Sequence, residues 1–269
     1  MNEYYYQLIV TPKSHIGIFN DLLLELLQNA VEEKEGSLIA RDSEPLEDIE
    51  WAVKQLSNKL GIETKTLLTK ERNEDWISKY KNSVRPLKLE KFYIRPQWEN
   101  PENGFIDIII NPALAFGSGH HESTSSCIKS ISKYVKSKDE FLDVGCGSGI
   151  LGVCAAKLGA KVDICDTDEI AIKSAKENFQ LNDMDFVNCW VGSANDTTNR
   201  YDVVAANIIA DIILMIGKDL KKRVKFGGIL ILSGIIDKYI DNVKDKFKEF
   251  EIIENIQNKE WHTLVLKRK

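Results

Sequence analysis

Two kinds of hydrophobic segment alternate along the chain from residue 140 onward. Short apolar runs typical of strands cover residues 140–144, 161–166, 186–191, 201–206 and 228–233, and a helical pattern of apolar residues follows each of them. Strands that alternate with helices in this way form a parallel sheet whose two faces the helices cover. The pattern therefore predicts a doubly wound α/β domain.

The pattern changes after the last of these strands. A helix predicted over residues 236–247 is followed by strands at 251–256 and 261–267, with only a few polar residues between the two strands. A connection this short favours a hairpin, in which neighbouring strands run antiparallel. We therefore expect an antiparallel pair at the C-terminal end of the parallel sheet.

Residues 1–68 predict a separate, smaller unit. Strands at 4–10, 37–40 and 63–69 alternate with an apolar helix over 16–27 and a second helix that stops at Gly61. This order indicates an N-terminal α+β domain of ferredoxin-like character. Residues 69–95 are charged and amphipathic, which favours a linker helix and connector. The larger domain then covers 96–269, with short strands near 92–94 and 105–110 and a helix over 122–136 around its start.

Composition narrows the class of protein. The net charge of −5 argues against binding that depends on many contacts from lysine and arginine to phosphate, so we expect no direct sequence-specific contact with nucleic acid. No apolar run approaches the ~18 residues of a membrane helix, and the N-terminus lacks the pattern of a secretory signal, which predicts a cytoplasmic protein. The five cysteines form no Cys-x-x-Cys pair, so we expect buried, reduced thiols.

The strongest local motif is the glycine-rich segment DVGCGSG at residues 143–149, which follows a predicted strand and opens a helix. Its glycines lie closer together than in the G-x-G-x-x-G dinucleotide motif, and this spacing favours a nucleoside that carries an amino acid over a pyrophosphate. The glycines could also serve only to make a tight turn. Asp166 ends the next strand, where a carboxylate can accept both ribose hydroxyls, while Asp168 fits a helix N-cap as well as a ligand contact.

Two further polar segments fall at places where α/β sheets bind ligands. Asn207 ends the fourth strand, and its amide could accept a hydrogen bond from an amine or cap the following helix. Residues 111–124 combine an apolar turn, a Gly-Ser-Gly loop and hydroxyl side chains, which is typical of a flap. His120 and His121 lack the spacing of H-E-x-x-H, so we expect no metal site.

Taken together, these motifs resemble the PrmA family of class I methyltransferases, which act on ribosomal protein L11 of the large subunit. The resemblance lies in PALAFGSGHH (112–121), DVGCGSGIL (143–151), ANI (206–208) and LSGI (232–235), and it extends back to NEDWISKYK (73–81), RPL (85–87) and RPQW (95–98). The family also carries a small N-terminal α+β unit and a sheet that ends in an antiparallel hairpin. The sequence differs from the usual family pattern at Ala113, where glycine is common, and at Glu122, where proline is common.

The resemblance implies a function and a set of site residues. The expected cofactor is S-adenosylmethionine, with S-adenosylhomocysteine as its product. The expected reaction methylates the N-terminal amine and lysine side chains of L11. The enzyme is expected to bind L11 while it is free, before ribosome assembly. Asn207 is the implied catalytic residue. The implied cofactor contacts are Phe116, Gly117, Thr124, Gly145, Gly147, Asp166 and Asn207.

The implied chemistry sets a requirement on the site. Only a neutral amine can attack the methyl group, and a lysine of pKa 10.4 must lose its proton at a cost of ~4 kcal/mol near pH 7. Asn207 and the backbone near residues 116–119 are the expected acceptors. Two other classes are compatible with parts of the sequence: a catalytically degenerate ribosome-binding protein of the same fold, and a nicotinamide-dependent dehydrogenase, which the glycine spacing and the terminal hairpin disfavour.

Overall fold

The computed structural model describes residues 4–27, 31–34, 36–72, 85–111, 119 and 121–269. Contacts within the chain divide it into two compact units, Met1–Ser83 and Val84–Lys269. Among the helices of the described residues, none has both the length and the apolar character needed to cross a membrane.

The first unit is a four-stranded antiparallel sheet, in the order β2-β3-β1-β4, with two helices. Its elements are β1 (Tyr4–Pro12), α1 (Ile16–Leu26), β2 (Glu32–Lys34), β3 (Ser37–Asp42), α2 (Glu47–Leu60) and β4 (Thr64–Arg72). Leu8 of β1 lies opposite Ala40 and Leu68, and such apolar positions pack with Phe19 and Val53 of the helices into one core. Gly61 ends α2 with φ 65°, which confirms the predicted stop. The sequence did not predict β2, whose three residues are all charged and exposed.

The second unit is built on a seven-stranded sheet in the order β10-β9-β8-β11-β12-β14-β13. The strands are β8 (Glu140–Val144), β9 (Lys161–Asp166), β10 (Asn188–Val191), β11 (Tyr201–Asn207), β12 (Val224–Ile236), β13 (Phe250–Asn258) and β14 (Trp261–Arg268). The first five in this list pair in parallel, whereas β14 pairs antiparallel with both β12 and β13. A separate three-stranded sheet contains β5 (Leu87–Leu89), β6 (Phe92–Arg95) and β7 (Ile106–Ile109).

Helices pack on both faces of the large sheet, as the alternation of segments predicts. They are α3 (Glu122–Tyr134), α4 (Ile150–Lys157), α5 (Glu169–Leu181), α6 (Ala210–Arg223) and α7 (Ile240–Lys246). Neighbouring residues of β8 point to opposite faces: Phe141 joins a core that contains residues of α3, α4 and α5, and Leu142 joins a core that contains residues of α6 and α7. The sheet therefore separates two hydrophobic layers.

Two predicted helices differ in the structure. Between β10 and β11 there is only a 3-10 turn, Ala194–Asp196, so the expectation that a helix follows every strand was wrong here. A reciprocal capping box between Ser193 and Asp196 stabilises the start of this turn, but residues 195–200 are polar and lack the apolar periodicity that would continue it as a helix. The helix predicted over 236–247 begins with a second 3-10 turn, Asp237–Tyr239, before the short helix α7.

Candidate functional site

A cavity of about 980 Å³ opens at the carboxyl ends of the parallel strands. Gly145, Asp166, Gly192 and Asn207, which lie at or just after the ends of β8, β9, β10 and β11, line this cavity, together with Gly234 of β12. The strand order reverses between β8 and β11, and open α/β sheets bind ligands at such a switch point. The fold therefore brings together residues from five separate stretches of the sequence.

The glycine segment makes a tight loop between β8 and α4. The backbone N–H groups of Gly145 and Cys146 both donate to the carbonyl of Cys165, at 2.8 and 3.1 Å, which ties the loop to the end of β9. Gly145 has φ 70°, and a Cβ added there would lie 2.4 Å from Cγ2 of Ile208. Glycine is thus required by close packing at this position, and the same loop forms part of the cavity wall.

Asp166 holds the glycine loop and faces the cavity. Its Oδ2 accepts a hydrogen bond from the N–H of Gly147 at 2.9 Å, and its Oδ1 accepts one from the N–H of Asp168 at 3.0 Å. Each carboxylate oxygen can accept a second hydrogen bond, so both can also receive ribose hydroxyls. Asp168 accepts from the N–H of Ile170 at 2.8 Å, which confirms that it is the N-cap of α5.

Asn207 is the last residue of β11 and lines the cavity. The alternative that it caps the following helix was wrong, because Ile209 occupies the cap position of α6. Its Nδ2 instead donates to Oγ1 of Thr124 at 3.0 Å. Thr124 is almost fully buried, at 1 % exposure, so it lies behind Asn207 and fixes the orientation of the amide.

The other predicted contacts fall in three groups. Gly145 and Gly147 line the cavity together with Asp166 and Asn207. A direct contact from Thr124 to the cofactor stays a prediction. Phe116 and Gly117 lie outside the described residues, so the predictions for them also stay open.

His121 and Trp261 line the cavity, although the sequence did not predict either of them as a site residue. Their rings meet edge to face, with centroids 4.7 Å apart. His121 is the N-cap of α3: its Nδ1 accepts from the N–H of Ser123 at 3.3 Å and is 2.8 Å from the Ser123 hydroxyl. Trp261 begins β14. Nothing in a single sequence links two residues so far apart, and only the pairing of the terminal hairpin with β12 explains their contact.

A third part of the wall is apolar. Ile208, Ile209 and Ile212 lie at the junction of β11 and α6, and Met215 continues the wall along the helix. Ile209 is 63 % exposed and Met215 is 70 % exposed, which is unusual for large apolar side chains beside a cavity. This surface suits a flat, weakly polar group such as a nucleobase.

Burial controls the ionisation of groups around the glycine loop. It raises the pKa of Asp143, directly beneath the loop, to about 7; the hydrogen bond from the N–H of Gly152 opposes this shift and the charge of Asp166 adds to it. Burial also raises the pKa of the Cys127 thiol to about 12, and the pKa values of the other four cysteines are likewise raised, mainly by burial. The five cysteines are free, and their raised pKa values favour the protonated thiol over the reactive thiolate.

The cavity fits a nucleoside that carries an amino acid. It combines a carboxylate acceptor, a glycine loop without side chains and an apolar wall. None of the described residues that line it is lysine or arginine. The glycine loop, the carboxylate and the apolar wall suit the amino acid part, the ribose and the adenine of S-adenosylmethionine.

Comparison with known proteins agrees with this geometry. The family described as ribosomal protein L11 methyltransferase (PrmA) matches residues 20–269. A protein of Campylobacter fetus named ribosomal protein L11 methyltransferase is 47 % identical over 271 residues, which cover 100 % of this chain and 98 % of the relative. A protein of the same name from Nitratiruptor is 47 % identical over 273 residues, covering 99 % and 97 %.

A solved structure, the ribosomal protein L11 methylase of Lactobacillus delbrueckii subsp. bulgaricus, aligns with a TM-score of 0.65 at 28 % identity. The alignment covers 69 % of this chain and 99 % of that one. The family match spans nearly the whole chain, and the identity to curated relatives extends over both units. The chain belongs to the ribosomal protein L11 methyltransferase family, PrmA.

Proposed function

We propose that this protein transfers methyl groups from S-adenosylmethionine to the N-terminal amine and to lysine side chains of ribosomal protein L11. The observation that carries the proposal is the cavity in which the glycine loop, Asp166 and Asn207 meet at the switch point of the sheet. The loop around Gly145 and Gly147 would hold the amino acid part of the cofactor, Asp166 its ribose, and the wall that begins at Ile208 its adenine. When bound, the cofactor supplies an electrophilic methyl group on sulfonium.

In this proposal Asn207 receives the substrate amine. Its Nδ2 is engaged by Thr124, and among the described residues no group donates to its Oδ1, which is left to accept from the amine. Asn207 can orient the ammonium group. Partial desolvation of this group in the cavity would lower the ~4 kcal/mol cost of releasing a proton to solvent and leave a neutral amine to accept the methyl group.

We assign substrate recognition to residues 1–68 and methyl transfer to 96–269. Between them we assign a linker to 69–95, which includes the end of β4 and the strands β5 and β6. The small unit, of ferredoxin-like character, would bind L11 before ribosome assembly, and the linker would let different amines reach one cavity. The acidic net charge of −5 supports recognition of the protein rather than of ribosomal RNA.

The decisive experiment incubates purified L11 with this protein and S-adenosylmethionine and follows the intact mass of L11. We expect increases in steps of one methyl group. Cofactor binding by calorimetry without any mass increase would contradict the proposal and would favour the catalytically degenerate alternative.

The role of Asn207 is tested with two substitutions. Asn207→Ala should lower kcat by about 10- to 100-fold, the range for a hydrogen bond to a charged group, while the Kd for S-adenosylhomocysteine changes little. The matched control is Asn199→Ala, which should leave kcat unchanged. Asn199 is exposed and lies just before the first residue of β11, at the end of the strand away from the cavity. Full activity of Asn207→Ala at saturating cofactor would refute this role.

The division of labour is tested by removing residues 1–68. The shortened chain should keep its affinity for S-adenosylhomocysteine, which shows that the larger unit is folded, and should lose transfer to L11. Undiminished transfer by the shortened chain would refute recognition by the N-terminal unit.

A further inference from the structure

Exposed ion pairs tie both ends of α3 to the C-terminal hairpin of β13 and β14. Glu122, the first residue of α3, pairs with Lys259 in the hairpin turn. Lys133, in the last turn of the helix, pairs with Glu254 of β13. The two pairs join the same secondary structures with the same chemistry, but they lie at opposite ends of the helix.

The Glu122–Lys259 pair is adjacent to the cavity. Glu122 directly follows His121, and Lys259 lies two positions before Trp261. The pair therefore links the two chain segments that carry the edge-to-face rings in the cavity wall. The Lys133–Glu254 pair has no such neighbours, since it is eleven helix positions away, or ~16 Å along the helix axis.

Side-chain contacts hold the hairpin turn around Lys259. Lys259 adopts a left-handed backbone conformation, with φ 54°, that costs energy in a residue with a side chain. From inside the turn, Nε2 of Gln257 donates to the Lys259 carbonyl at 3.2 Å and to Oδ1 of Asp237 at 3.1 Å. The side chain of Lys259 is, among the described residues, anchored by Glu122.

The layer beneath the rings is already fixed. The hydroxyl of Ser233 donates to the carbonyl of Ser123 at 3.2 Å and is 2.6 Å from the hydroxyl of Thr263, and all three residues are buried. These bonds hold α3, β12 and β14 together irrespective of the ion pair. Loss of the pair should therefore loosen the turn and the two rings without unfolding the unit.

We propose that Glu122 and Lys259 are positioning residues for methyl transfer, which hold Trp261 against His121 at the wall of the cavity. The inference rests on the proposed function. An exposed ion pair contributes little to global stability, but a small displacement of a wall that aligns the reactants is enough to slow the reaction. The effect should appear in kcat rather than in the affinity for the cofactor.

The kinetic test uses Lys259→Met, Glu122→Gln and the double variant, with Lys133→Met as the matched control. We expect roughly two- to fivefold lower kcat for L11 in either single variant, with no further loss in the double variant. Lys259→Arg should restore kcat, and Lys133→Met should behave as the unaltered protein. In high salt the unaltered protein should approach Lys259→Met. Equal losses in Lys259→Met and Lys133→Met, or independent losses that multiply in the double variant, would overturn the proposal.

A second measurement does not depend on activity. In the cofactor-free protein, amide hydrogen exchange in residues 121–126 and 258–262 should be roughly two- to fivefold faster in Lys259→Met and unchanged in Lys133→Met. Unchanged exchange in Lys259→Met would refute the coupling. If the unaltered protein fails to methylate L11, the proposed function fails, whereas the exchange experiment still decides whether the pair fixes this wall.

Discussion

Asp143 makes the stability of the larger unit depend on pH in an uncommon direction. Its side chain is fully buried beneath the glycine loop. Oδ2 accepts a hydrogen bond from the N–H of Gly152 at 3.0 Å, and Oδ1 has no hydrogen-bond partner among the described residues. Burial without a compensating charge raises the pKa of this carboxyl from its ordinary 3.8 to about 7.

The sign and size of the effect follow from proton linkage. The folded protein binds the proton more tightly than the unfolded chain, so this contribution to stability is complete below pH 4 and is lost as the pH rises through 7. The full difference is about 4 kcal/mol, of which about 3 kcal/mol lies between pH 5 and pH 8. Asp143→Asn cannot ionise, and its amide oxygen can still accept the hydrogen bond from Gly152.

We therefore expect Asp143→Asn to gain about 3 kcal/mol in the free energy of unfolding, relative to the unaltered protein, on going from pH 5 to pH 8. Calorimetric unfolding at both pH values measures this difference. The transition of the larger unit is the one that S-adenosylhomocysteine shifts to higher temperature, because a ligand stabilises the unit that binds it. Asp185→Asn, at an exposed position, is the control. A difference that does not change with pH would refute the reasoning.

Three other predictions concern the cavity and the sheet below it. Gly145→Ala should weaken binding of S-adenosylhomocysteine at least tenfold in calorimetry, because its Cβ would lie 2.4 Å from Ile208 and the φ of 70° disfavours a side chain. Unchanged affinity would contradict the packing argument. Asp166→Asn should lower the same affinity by about 10- to 100-fold, since each hydrogen bond to the carboxylate is worth about 1.5 to 3 kcal/mol. Asp168→Asn is the control, and a smaller loss of affinity in Asp166→Asn than in this control would refute the ribose assignment. Tyr201→Phe should lower the free energy of unfolding by about 1 to 3 kcal/mol and leave ligand affinity unchanged, because the Tyr201 hydroxyl donates to the buried carboxylate of Asp163 at 2.6 Å. An unaltered denaturant midpoint would show that this hydrogen bond contributes nothing to stability.

The sequence predicts the parts of the fold that depend on local periodicity. The bounds predicted for β8 and β9 agree with the structure at every residue, because each is a short apolar run between polar segments. The glycine loop and Asp166 follow from these strands, since a motif at a strand end must reach the carboxyl edge of a parallel sheet. The strand β2 could not be predicted, because its three charged residues carry no alternation and depend on pairing with β3.

Contacts between distant segments account for what the sequence did not predict. The two roles considered for Asn207, a helix cap and an acceptor for an amine, both suit an asparagine at the end of a strand. The structure excludes the cap, because Ile209 occupies that position. The bond from Asn207 to Thr124 depends on how α3 packs across the ends of the strands. The contact between His121 and Trp261 depends in addition on the register of β14 with β12.

The apolar wall of the cavity also has a thermodynamic consequence. At the start of α6, the cap residue Ile209 and Met215 of the helix present apolar surface to water in the free protein. A nucleoside that covers this surface removes it from water. Cofactor binding should therefore be accompanied by a fall in heat capacity, and its enthalpy should become more favourable as the temperature rises.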